Sequence, residues 1–227
     1  MRILATVSAC ALAATSLASA DFVDMQFVGT GAGQVVKITS PSRTGNLWVG
    51  QILHVISNGP ANLNGQWITY CADLGQTVSG SPVPYEIVPV AAIPDSAPMG
   101  AAKAQAIADM YAYANGSQLL PTTSNDLAAA FQLAIWEVVA DYTGVGPTLG
   151  LDMTSGNFAA TMTDGSPLSA GIAGYVASLL GAVGTNASRD LIGLRSGSYQ
   201  DQILEVPGPG ALALAATAGL VARRRRA

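Results

Sequence analysis

Residues 129–144 read AAFQLAIWEVVADYTG, and the class of fold turns on this stretch. Ala128, Ile135, Trp136 and Val139 stand at helical spacing around Gln132, so the segment predicts a helix whose apolar stripe contains one amide. The residues before it follow a different period. Alternating and β-branched runs predict strands over 22–28, 34–39, 47–56, 66–72 and 85–90, separated by Gly-, Pro- and Asn-containing turns. An Ala-rich segment over 96–114 opens with Ser96 and Pro98 and closes at Asn115-Gly116, where a left-handed cap fits. The Gln132 helix is expected over 124–142, with Thr123 and Asp126 at capping-box spacing and Gly144 beyond its end. A third helix is expected over 167–180, and short strands over 157–162, 191–195 and 202–206. The expected fold class is α+β: an antiparallel β-sheet or sandwich with an inserted helical subdomain.

Upstream, residues 67–76 read WITYCADLGQ and contain Cys71. In an extended strand Trp67, Thr69 and Cys71 share one face and Ile68, Tyr70 and Ala72 the other. Both faces are mostly apolar, so the thiol is expected to be at least half buried. Three readings stand open for it: a small core hydrophobe, an intermolecular disulfide, or a reactive group. Gln132 poses a matching question, because a buried amide without partners costs roughly 1 to 3 kcal/mol. A hydrogen-bonded core glutamine answers it, and so does chemistry. Were the strand and helix packed together, the Cys71 sulfur could attack the Gln132 carbonyl, expel ammonia and leave an internal thioester. Tyr70, Phe131 and Trp136 would exclude water from it.

Both ends of the chain read as addresses. Arg2, the apolar run over 3–17 and Ala18-Ser19-Ala20 predict a signal peptide over 1–20, which discards Cys10. At the other end stand Val206-Pro207-Gly208-Pro209, an apolar segment over 211–222, and Arg223, Arg224, Arg225 and Arg226. A transmembrane helix of that length would cover only about 18 Å, so the expectation is a transient hold at the membrane with the cations on the cytoplasmic side. This arrangement over 207–227 resembles the PEP-CTERM sorting tail of exopolysaccharide-producing bacteria, with Pro-Gly-Pro in place of Pro-Glu-Pro. That resemblance implies an exosortase-type processing enzyme as a partner and a final position at the cell surface or in the extracellular matrix.

Residues 21–206 suit one extracellular domain. Their cations are Lys37, Arg43, Lys103, Arg189 and Arg195 against the chain's fourteen acidic residues, so nucleic acid is excluded as a partner. Gly29, Gly31 and Gly33 mimic a dinucleotide loop, but the following QVVKIT suits a strand, and the glycines are expected to form a hairpin turn. His54, the only histidine, has no cysteine-hydrolase signature around it. Asp73, Glu137 and Asp141 lie close enough in sequence to the Cys and Gln segments to assist proton transfer. No spacing suggests a metal, and no cofactor is expected.

The two internal segments carry a further resemblance. Tyr70-Cys71-Ala72-Asp73 and Phe131-Gln132-Leu133-Ala134-Ile135-Trp136 are similar to the two motifs of the thioester domains of bacterial surface adhesins. The resemblance implies a Cys71–Gln132 cross-link that captures an amine or hydroxyl of a surface protein or polysaccharide, once and without turnover. The expected function is therefore adhesion rather than enzymatic catalysis. The alternative is a structural, exopolysaccharide-associated matrix protein that keeps Cys71 as a free thiol.

Overall fold

The computed structural model describes residues 21–144 and 151–206. The signal-peptide segment and, beyond Val206, the sorting motif lie outside the described residues. Among the described residues there are seven strands: β1 (Phe22–Thr39), β2 (Thr44–Ser57), β3 (Gly65–Cys71), β4 (Val83–Val88), β5 (Ala159–Thr161), β6 (Leu191–Arg195) and β7 (Gln202–Glu205). Three α-helices, α1 (Gly100–Ala114), α2 (Asn125–Asp141) and α3 (Ala170–Gly181), interrupt them. The α+β class holds. Every pairing is antiparallel, in the order β2-β3-β7-β6-β4-β1-β5, and β2 also pairs with β1. Six strands thus close into a ring, and β5 adds to the far end of β1. Closure removes the exposed edges that an open sheet would present.

Pairing partners share a face, so the register sorts the side chains. Val23, Met25, Ile56, Tyr85, Leu194 and Leu204 line the inside of the ring as one apolar cluster. On the outside, Val36, Ile38, Val49, Tyr70 and Ile203 join the core formed with the helices, in which Ile107, Met110, Phe131, Leu133, Phe158 and Ile172 are buried. Tyr70 and Tyr111 each meet Phe131 with ring centroids 4.8 Å apart.

The three glycines predicted as a hairpin turn instead lie within β1, which runs unbroken through them with register shifts at Phe27/Gly29 and Thr30/Gly33. Two of them sit at close approaches: a Cβ would fall 2.3 Å from Gln51 Oε1 at Gly31 and 2.4 Å from the Val49 carbonyl oxygen at Gly33. Gly33 faces Gly50, and a Cβ on Gly50, whose φ is +149°, would fall 2.3 Å from the Ala32 carbonyl oxygen. The irregular segment receives the start of α2: Gly33 N–H donates to Asn125 Oδ1 at 3.2 Å, and the Gln34 amide donates to Asp126.

Helix starts also differ from expectation. α1 begins at Gly100 rather than at Ser96, with Pro98 disfavouring helical backbone at Ala97. The cap of α2 is Ser124, whose hydroxyl accepts from Leu127 N at 3.2 Å, while Thr123 donates its hydroxyl to the Ser117 carbonyl. Ser169 caps α3 in the same way through Ile172 N. Asn115 adopts the expected left-handed cap of α1. Among the described residues no helix is long and apolar enough to cross a membrane.

Candidate functional site

The Cys71 segment and the Gln132 helix meet. β3 pairs with β2 up to Thr69, and Cys71 at its end pairs with Gln202 of β7 on the other side. Where β2 leaves, Gln132 takes its place: its Oε1 accepts from Cys71 N at 2.8 Å and its Nε2 donates to the Cys71 carbonyl at 2.8 Å. The side-chain amide therefore completes the backbone pairing of the strand as a single extra peptide unit would. Both residues are 1% exposed.

Cys71 shares the inward face of β3 with Thr69, and its sulfur sits in a tight turn. The thiol donates to the Asp73 carbonyl at 2.8 Å and accepts from Asp73 N at 3.1 Å. Burial pushes the thiol well above its ordinary range; the Trp136 indole and Asp73 backbone oppose that shift, and the charges of Asp73 and Asp201 add to it. The resting group is the neutral thiol. Trp136 stands four residues beyond Gln132 on the same helix face, and its buried indole N–H meets no oxygen or nitrogen acceptor and lies against the Cys71 sulfur.

Tyr70, Phe131 and Trp136, the residues expected to exclude water, are all buried, and Tyr70 donates its hydroxyl to the Gln118 carbonyl. A cavity of about 230 Å³ is lined by Cys71, Gln132 and Trp136 together with Arg43, Trp48 and Gln76. A larger groove of about 850 Å³ runs beside Trp67, Pro121 and Arg189 and touches neither member of the pair. The smaller cavity is the one that Cys71 and Gln132 line.

The acidic neighbours divide. Asp73 accepts from Gly75 N and Asp201 from Ser196 N and Asp95 N, so both carboxylates are engaged with backbone. Burial raises the Asp201 carboxyl to about 6. Glu137 and Asp141, expected to assist the pair, face away from it and organise the loop after α2. Glu137 accepts from Asp152 N, and Asp141 accepts from Asn157 N and Phe158 N. The separation of five positions between Gln132 and Glu137 puts the latter on another helix face. Burial and then the charge of Asp141 raise the Glu137 carboxyl to about 8.

A polar chain that sequence reasoning missed runs along the inside of the ring. His54 Nδ1 and Thr69 Oγ1 are 2.9 Å apart, Thr69 donates to Gln202 Oε1 at 2.9 Å, and Gln202 Nε2 donates to Gln200 Oε1 at 3.0 Å. Burial lowers His54 to about 4, which keeps it neutral. His54 holds this chain rather than partnering Cys71. The only sequence signal was that His54, Thr69 and Gln202 are polar residues at inward strand positions, and inwardness depends on register. Among the described residues no group of three or more ligating side chains could hold a metal ion.

Chemically, Cys71 N–H polarises the very carbonyl that the Cys71 sulfur would attack, and would stabilise the oxyanion that develops there. The amide nitrogen is held separately, by the Cys71 carbonyl. No protein-family model matches the chain, and neither a curated protein nor a solved structure matches it.

Proposed function

We propose that this chain is an exported surface or matrix protein whose Cys71 and Gln132 close into an internal thioester for one covalent attachment. In closure, the Cys71 sulfur bonds to the Gln132 carbonyl carbon, the carbon–nitrogen bond breaks, and the thiol proton leaves with the nitrogen as ammonia. In capture, an acceptor amine or hydroxyl displaces the sulfur and returns its proton to it. The reading is supported above all by the Gln132 amide held against both backbone groups of Cys71 beside a cavity. The sorting-tail motif supports delivery to the surface through an exosortase-type enzyme, with the membrane as a transient stage.

A second reading rests on the same two hydrogen bonds. The Gln132 amide satisfies the end of β3 without any covalent step, as suits a structural matrix protein with a free Cys71. Intact mass separates the two. The thioester form is lighter by one ammonia than the chain's sum, resists alkylation, and gains one methylamine with release of an alkylatable thiol; Cys71→Ala shows none of this. Native protein with full mass and a free thiol overturns the covalent reading.

A further inference from the structure

The cavity over the Cys71–Gln132 pair contains more polar apparatus than shielding requires. One of its lining atoms, the Gln76 side-chain Oε1, is a buried acceptor without a partner, while the Trp136 indole N–H lies against the Cys71 sulfur. Buried polar atoms are ordinarily satisfied, and an unpaired acceptor in a cavity suits a ligand bearing hydroxyl groups, which can donate to it. Trp48, at the rim, is 40% exposed and offers an indole face on which a sugar ring can stack.

Charge narrows the ligand further. Arg43 is the one charged residue among the described residues lining this cavity. Among the described residues its guanidinium is in no ion pair, and the bonds it makes, with Ser40, use its backbone. Asp73 and Asp201 do not line the cavity and are occupied by backbone N–H groups. A protonated lysine would meet a cation and no carboxylate to receive its proton. An anionic group would meet a planar fork of donors suited to a carboxylate.

We infer that the cavity selects an acidic glycan, pairing a uronate carboxylate with Arg43 and a sugar ring with Trp48, and presents a sugar hydroxyl to the acyl carbon of Gln132. The capture step rests on the thioester reading; the recognition does not. In capture the hydroxyl oxygen bonds to the acyl carbon as an ester, the carbon–sulfur bond breaks, and the hydroxyl proton passes to the Cys71 sulfur. Burial, which favours the neutral thiol, makes that sulfur a ready proton acceptor. A hydroxyl is a weak nucleophile, so its reaction depends on being held in place, which is what a fitted cavity supplies.

Recognition is measured on the exported full chain carrying Cys71→Ser, in which no thioester can form, by titration with galacturonate oligomers, dextran oligomers of equal length and a lysine-containing peptide. Galacturonate should bind at least about tenfold more tightly than either, and Arg43→Gln should remove that preference without lowering the melting temperature. Equal binding of the three probes, or a preference untouched by Arg43→Gln, overturns the inference. The native chain is then incubated with the same probes and its mass followed. A galacturonate ester with thiol release supports the capture step, and a peptide adduct in its place overturns it. Absence of the thioester from native protein defeats the covalent reading and with it the capture step, while Arg43-dependent binding by the Cys71→Ser variant would still stand.

Discussion

At the scale of residues, the two polar anomalies of the sequence, Cys71 and Gln132, prove to be neighbours, and each answers the question the other raises. Gln132 is satisfied by the Cys71 backbone, and Cys71 lies where β3 has lost its other partner. Glu137 is a different kind of anomaly, legible only as an acid within an apolar helix. Its carboxyl is raised from 4.5 to about 8, so between those values the folded chain keeps a proton that the unfolded chain has lost. Stability from this group is complete below about pH 4.5 and declines as the pH rises to about 8. His54, lowered from 6.5 to about 4, has the opposite sign, but its contribution is complete above about pH 6.5. Asp201, raised from 3.8 to about 6, shares the sign of Glu137 and is spent below that point. Glu205, raised by burial against the pull of Arg189, adds in the same sense as Glu137. Denaturant midpoints at pH 6.5 and pH 8 should therefore show a loss of stability that is smaller in Glu137→Gln. An identical slope in the two proteins would remove Glu137 as a cause.

At the scale of elements, the position of α2 decides whether the pair can meet. Its helical stripe was readable from Ser124 to Tyr142 because it is local, while its cap, expected at Thr123, falls one residue on at Ser124. Its seat was not. The Gly29–Gly33 run reads as a turn because glycine is most often turn chemistry, whereas here it thins β1 so that Asn125 can dock on the strand backbone and Asp126 on the Gln34 side chain. Gly50 completes that seat from β2, with no room for a Cβ and a backbone conformation that side chains rarely adopt. Gly50→Ala should lower stability by about 2 kcal/mol or more and, by loosening α2, reduce the fraction of chains with a closed thioester. Thermal unfolding and intact mass test both parts; an unchanged melting temperature would show that the β1–β2 crossing is not tight.

At the scale of the whole molecule, a closed Cys71–Gln132 bond would join residues 61 positions apart and tie the ring of strands to the helical layer. A cross-link across such a loop restricts the unfolded chain by about 4 kcal/mol in the chain-entropy account. Opening the bond with methylamine should then lower the melting temperature by roughly 10 °C for a domain of this size. The Cys71→Ala variant should start near the lowered value and not respond to methylamine. A native protein that loses its mass deficit with no change in melting temperature would show that the bond adds no stability.

The sequence by itself determined what depends on neighbours along the chain. The two-residue period of the strands, the helical stripe around Gln132, the Asn115 cap and the α+β class all follow from local sterics and from which side chains recur on one face. Only the tertiary structure decided what depends on distant segments meeting. It closed six strands into a ring, turned the glycine run into a docking seat, aligned His54, Thr69 and Gln202 inside, and set Arg43 and Trp48 over the Cys71–Gln132 pair. Such meetings are fixed by register and packing across long chain separations, and a strand shifted by one residue would exchange its inside for its outside with no change in local pattern.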